Sequence, residues 1–352
     1  MSVTDPHIKS EKRGALGLLT LDRPKALNAL THGMIAALAD SLKAWAADDS
    51  VKAVAIRGEG DRAFCSGGDI RAVQQAIVAG TKEGADLLRD EYRMNALIGD
   101  YPKPYIAMIH GITMGGGAGV SIHGSHRLAD GSLMFAMPET GIGFIPDVGS
   151  SYFLSRLPDR LGLYLGLTAN SIGLGDATAA GLVTHAVARG DFDGVIAALA
   201  GGQTVEKAIA PFARKPEPGA LAAHRRRIAT IFAGSSVEAI LERLDRDGSD
   251  FAIATAQTLR TRSPTSLKLV FRQLHEAEKL SLNQCLAMEF RLALRVLPGH
   301  DFREGVRAAL VDKDRRPKWE PSSLAGVADL AHFFAGLGGD ELFGSSHACA
   351  ER

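Results

Sequence analysis

Twice before residue 120, a short apolar run stops at a cluster of glycines that opens into a helical pattern. Ala63-Phe64-Cys65 runs into Ser66-Gly67-Gly68-Asp69, and Tyr105–His110 runs into Gly111-Ile112-Thr113-Met114-Gly115-Gly116-Gly117-Ala118-Gly119. Strands that hand such loops to helices belong to an alternating architecture, and the neighbouring sequence keeps the same rhythm. Ala15–Leu21 is a strand stopped by Asp22-Arg23-Pro24. Thr31 can cap a helix whose apolar positions Ile35, Leu38, Leu42 and Trp45 share one face. Val51–Arg57 is the next strand, a long polar helix is predicted over Ile70–Ile98, and strands His126–Ala129 and Leu133–Met137 lead to Pro138-Glu139. The fold class is therefore α/β. After about residue 200 helical patterns take over, around Val237–Asp245, Phe251–Arg262, Ser266–Leu280 and Leu282–Val296. The expected division is an α/β core over residues 1–212 and a helical region over 213–352.

Charge balance narrows the partners. Lys and Arg number 40, Asp and Glu number 40, and the pI is about 7.2, so nothing favours a polyanion and no nucleic-acid partner is expected. No apolar run has the length of a membrane span, and the polar stretch Met1–Gly14 does not read as a secretory signal. Cys65, Cys285 and Cys349 are too few and scattered for a disulfide framework and lack metal-ligand spacing. No metal is expected. A reducing compartment suits them, and the expected location is the cytoplasm.

In a glycine loop between strand and helix, successive N–H groups point outward and the helix N-terminus adds positive potential. A carbonyl oxygen gaining negative charge during acyl chemistry would be stabilised there. Neither loop is a Gly-x-Gly-x-x-Gly dinucleotide fingerprint, and the second lacks the Lys-Ser/Thr of a P-loop. Each loop alone could equally serve close packing.

In order and spacing, four segments together resemble the crotonase, or enoyl-CoA hydratase/isomerase, superfamily: Leu21-Asp22-Arg23-Pro24-Lys25-Ala26-Leu27-Asn28-Ala29-Leu30, Ala63–Ile70, His110–Gly117 and Met137-Pro138-Glu139. The resemblance implies a spiral of ββα turns and a CoA thioester held by the backbone N–H groups of Gly68 and Gly116. It also implies that Lys25, Arg71, Ala63 and Ser66 meet the CoA portion. Lys and Arg suit phosphates. CoA is then part of the substrate, and no separate cofactor is expected. Many members are trimers or hexamers, so a homo-oligomer is open to this chain.

The family's hydratases use two glutamates, and here the sequence departs. Glu139 matches one of them, but the other position is Gly119, which has no proton to give. Asp147, in Ile145-Pro146-Asp147-Val148-Gly149, stands where hydratases commonly have glycine, and Glu91 is a third acid on the intervening helix. The pattern resembles the 3-hydroxyisobutyryl-CoA hydrolase subfamily. Glu91-Tyr92-Arg93, His110–Gly117, Phe135–Gly143 and Pro146–Gly149 carry that match, as do the tail segments Ser263–Lys268, Gly299–Phe302, Glu304–Ala308, Asp312–Asp314 and Pro317–Trp319. It implies Glu91, Gly116, Glu139 and Asp147 as substrate contacts, Glu139 as base or nucleophile, and valine breakdown as the pathway. A one-glutamate hydratase or isomerase and a non-catalytic acyl-CoA-binding subunit are the alternatives. Cys65 reads as a small buried thiol, and His110 and His123 as packed histidines.

Overall fold

The computed structural model describes residues 4–344, so Cys349 and the first three residues of the Met1–Gly14 stretch lie outside the described residues. Two compact units divide the chain. One takes residues up to Asp69, Met94–Met137 and Asn170–Arg225; the other takes Ile70–Arg93, Pro138–Ala169 and residues from Arg226 on.

The first unit holds every strand among the described residues. They are β1 Ile8–Arg13, β2 Leu16–Leu21, β3 Ala53–Gly58, β4 Ala63–Cys65, β5 Tyr105–Ile109, β6 Ile112–Met114, β7 His126–Ala129, β8 Met134–Ala136, β9 His185–Val187 and β10 Ala213–Arg214. Seven form one sheet in the order β1-β2-β3-β5-β7-β9-β10, and three form another in the order β4-β6-β8. From β2 to β9 the large sheet is parallel, with antiparallel β1 and β10 at its edges. The small sheet is parallel throughout. Thus β3-β4, β5-β6 and β7-β8 each send their first strand to the large sheet and their second to the small one. This is the ββα turn, repeated in structure without repetition in sequence.

Strand β2, Leu-Gly-Leu-Leu-Thr-Leu, is buried at every position, as a strand covered on both faces must be. Its Leu16 and Leu18 join Ala55, Ile106, Met108, Leu128, Phe192 and Ile196 in one apolar core. Edge strand β1 is nearly all exposed polar residues, which is why no apolar alternation announces it. Thr31 caps the His32–Ala46 helix as expected, its Oγ1 accepting Met34 N–H at 3.2 Å.

The second unit is helical. The single helix expected over Ile70–Ile98 is two, Ile70–Val78 and Glu83–Gly99. The break is a glycine C-cap: Gly80 takes φ 67°, and Thr81 N–H reaches back to Ala76 O at 3.0 Å. Serines start the later helices. Ser236, Ser249, Ser263 and Ser281 each accept a first-turn N–H, and Ser281 with Gln284 forms a full capping box. Helix Leu161–Thr168 is buried at all eight positions, with Tyr164 edge-on to Phe232 at 5.5 Å. Among the described residues no helix is long and apolar enough to cross a membrane.

Candidate active site

In the first unit the two glycine loops meet. Leu30 N–H bonds Gly67 O at 2.8 Å and Asp69 N–H bonds Leu30 O at 2.9 Å. In this parallel bridge Leu30 uses the groups on either side of Gly68, so the N–H of Gly68 faces the opposite way. Gly116 opens the Gly116–Ile122 helix, and as the first residue of the helix its N–H has no intrahelical acceptor. A Cβ on Gly117 would stand 2.3 Å from Cys65 O, so only glycine lets this helix lie against β4.

Asn28 ties the neighbouring turn to the same strand. Fully buried at φ 55°, it accepts Arg23 N–H at 2.9 Å and donates to Glu59 O at 3.0 Å and Ala63 O at 2.9 Å. Of the expected CoA contacts, Lys25 is exposed on the turn beside it, Ser66 is half-buried, and Ala63 is buried with its carbonyl engaged. Arg71 is exposed in the second unit and donates to Leu310 O at 2.7 Å.

Cys65 is buried, its Sγ 3.7 Å from Gly67 O. His110 uses both ring nitrogens. Nε2 lies 2.8 Å from Gly60 O, which can only accept, and Nδ1 lies 2.6 Å from Arg189, which can only donate. Burial and the Arg189 charge hold its pKa down. It is a neutral structural histidine, as expected of a packed one.

The second unit gathers the acids. Glu91, on the Glu83–Gly99 helix, is 3% exposed; Glu139, first residue of the Glu139–Ile142 turn, 5%; Asp147, 6%. A fourth, Glu289, is wholly buried on the Leu282–Val296 helix. Tyr92 Oη donates to Asp147 Oδ2 at 2.6 Å. Glu289 accepts from Gly149 N (2.6 Å), Ser151 N (2.8 Å) and Ser151 Oγ (2.5 Å). Glu91 Oε1 and Glu139 Oε2 have no hydrogen-bond partner among the described residues. A buried polar atom in that condition suits a ligand more than a packed core.

The tail motifs seat the Glu139 turn. Gly143 takes φ 68°, and a Cβ there would lie 2.3 Å from Asp301 O. Asp301 is anchored by Ser263 Oγ at 2.5 Å and Glu320 N at 2.8 Å. From the other side, the tail grips the helix carrying Glu91. Arg89 donates to Glu341 O and Asp340 O, and Arg93 to Leu342 O.

Four acids in so little space cannot all ionise. Burial first, and then the charges of Asp147 and Glu289, hold the Glu139 carboxyl well above its usual range. Burial pushes Asp147 up to about 6, with the Tyr92 hydroxyl pulling it back. Burial, aided by the Asp147 charge, takes Glu91 up to about 8. Burial also takes Glu289 up to about 8 against the pull of its three donors.

A proton held in the fold but released on unfolding links stability to pH. Glu91 keeps its proton up to about pH 8 in the fold but loses it near 4.5 when exposed. Its contribution is therefore complete below 4.5 and lost as pH rises through 8. Glu91→Gln cannot ionise, so the stability difference between pH 5 and pH 8 should narrow by about 1–3 kcal/mol. Denaturant titration of both proteins at the two pH values measures this; an unchanged difference would mean that Glu91 is not held neutral.

Glu289 and the hydroxyl of Tyr92 are the parts of this cluster that sequence reasoning missed. Glu289 had a signal. It stands among Cys285, Leu286, Met288, Phe290, Leu292 and Ala293, all buried, where helical periodicity calls for an apolar side chain.

Comparison with known proteins gives the chain a family. The family model described as Enoyl-CoA hydratase/isomerase matches residues 16–334. The chain is 45% identical to the 3-hydroxyisobutyryl-CoA hydrolase, mitochondrial, of Xenopus tropicalis, covering 97% of this chain and 92% of that one. Its identity to the human protein of the same name is 42%, covering 94% and 89%. Among solved structures it resembles a carnitinyl-CoA dehydratase from Mycobacterium thermoresistibile, with TM-score 0.92, 41% identity and coverage of 96% and 99%. An enoyl-CoA hydratase from Rhodobacter sphaeroides gives TM-score 0.90, 37% identity and coverage of 96% and 99%. The word mitochondrial in the relatives' names overturns the cytoplasmic expectation. The physical reason is simple: free thiols report a reducing compartment, and several compartments are reducing. The chain belongs to the enoyl-CoA hydratase/isomerase family, in the branch of the 3-hydroxyisobutyryl-CoA hydrolases.

Proposed function

We propose that this chain hydrolyses a short 3-hydroxyacyl-CoA thioester, 3-hydroxyisobutyryl-CoA above all, to the free 3-hydroxy acid and CoA, a step of valine breakdown. The observation that carries the reading is the acid set. Glu139 is buried with an unpartnered oxygen, Asp147 and Glu91 stand in the same cluster, and glycine occupies position 119. That set matches a hydrolase and lacks the second acid of a hydratase.

In the proposed reaction the N–H groups of Gly68 and Gly116 hold the thioester oxygen as it becomes negative. Glu139 takes a proton from water, which attacks the carbonyl carbon; the C–S bond then breaks and the thiolate leaves as CoA. In the variant route Glu139 attacks directly, expels CoA and forms an anhydride that water cleaves. Asp147 bonds the 3-hydroxyl, and Glu91 faces the polar end of the acyl group. Lys25 and Arg71 meet the CoA phosphates, with Ala63 and Ser66 along the CoA chain. Water and thioester suffice, so no separate cofactor enters.

The test is a panel of thioesters. Thiol release from 3-hydroxyisobutyryl-CoA, with little loss of conjugated-thioester absorbance from crotonyl-CoA, is the expected result. Hydration of crotonyl-CoA without thiol release would replace this reading by the one-glutamate hydratase. Tight binding with neither reaction would make the chain a binding subunit.

A further inference from the structure

We propose that Glu289 is a positioning residue: by accepting the N–H groups of Gly149 and Ser151 and bonding the Ser151 hydroxyl, its carboxyl group holds the Asp147 turn and so sets how strongly the enzyme prefers 3-hydroxyacyl groups. The inference rests on the reading of Asp147 as the partner of the substrate's 3-hydroxyl.

A carboxylate inside a helix's apolar face is unfavourable unless its oxygens are satisfied. Glu289 is wholly buried, and its three bonds all go to the segment that follows Asp147. That segment needs holding. Val148 sits at φ 56°, where a β-branched residue is disfavoured. Gly149 follows at φ 80° before the Ser150–Leu154 helix begins. Two backbone N–H groups that can only donate each require an acceptor oxygen, and the two oxygens of the Glu289 carboxyl group supply one apiece. A second grip lies just upstream, where Gln273 Nε2 donates to Pro146 O at 2.7 Å. Asp147 is thus fixed between two clamps, and its side chain meets Tyr92 at 2.6 Å.

Glu289→Gln is the sharp test because glutamine keeps the shape but turns an NH₂ toward one of the N–H groups. The readout is the ratio of kcat/KM for 3-hydroxyisobutyryl-CoA to that for isobutyryl-CoA, by thiol release from the full-length chain. Misplacing a substrate-contacting group by about 1 Å can cost on the order of 100-fold. The ratio should fall at least about tenfold in Glu289→Gln, with hydrolysis of isobutyryl-CoA less affected. Ser151→Ala removes only one of the three donors and should lower the ratio about two- to threefold. It decides the matter if the glutamine variant does not fold. Equal losses on both substrates, or an unchanged ratio in whichever variants fold, would overturn the positioning role. The underlying reading has its own control: if wild type shows no preference for the hydroxylated substrate, or Asp147→Asn leaves that preference intact, the assignment of Asp147 itself falls, whatever Glu289 does.

Discussion

Replacing Glu139 by glutamine is expected to lower kcat for thiol release by on the order of a thousandfold, the usual contribution of a positioned base or nucleophile. Glutamine fills the same volume in the turn and can still accept a hydrogen bond, so the fold should persist. It can neither take a proton from water nor attack a carbonyl. The pH profile supplies an independent check. A base works only when ionised, and burial with Asp147 and Glu289 nearby raises the Glu139 pKa. The wild-type rate should therefore climb with pH over a range displaced above that of ordinary carboxylates, and Glu139→Gln should lose the climb. Full activity in the variant would remove Glu139 from the chemistry. A single turnover of wild type in labelled water then separates the routes. Direct attack by water puts the label in the product acid, whereas cleavage of an anhydride at the Glu139 carbonyl leaves it in the protein.

The second large effect concerns selectivity. Asp147→Asn should reduce kcat/KM for 3-hydroxyisobutyryl-CoA by about 10- to 100-fold while changing isobutyryl-CoA much less. A charge-assisted bond to the substrate hydroxyl is lost only where that hydroxyl exists. The Tyr92 hydroxyl also loses its charged acceptor, the 2.6 Å bond to Oδ2, so the variant's side chain will be less firmly placed. Equal losses on the two thioesters would show that Asp147 shapes the loop without reading the hydroxyl.

What the sequence made readable follows from how far each signal reaches. The His32–Ala46 helix was legible because its cap and apolar stripe lie within its own residues. So was β2, whose burial is written in consecutive leucines. Strand β1 was not, because an edge strand is defined by its neighbour and its own residues are polar. The break between Ile70–Val78 and Glu83–Gly99 hung on one glycine whose left-handed backbone no periodicity reports. Glu139, Asp147 and Glu91 were singled out through motifs, and all three are buried in the second unit. The use of Glu289 could not be read, since its partners Gly149 and Ser151 stand 140 and 138 residues away. An out-of-place charge in an apolar stripe announces that something is bound to it, but not what.

Those separations carry a consequence for the chain's history. The Asp147 loop is secured by Gln273, 127 residues downstream of Pro146, and by Glu289, 140 downstream of Gly149. Closing loops of that size costs entropy before any contact rewards it, so such contacts belong to the late part of folding. A nascent chain emerging N-terminal end first can complete the strands of its sheets while the buried acids of the second unit are still unplaced. On the proposed roles of these acids, competence to cleave a thioester arrives only with the last helices, which makes the C-terminal region a timer for activity as well as a scaffold.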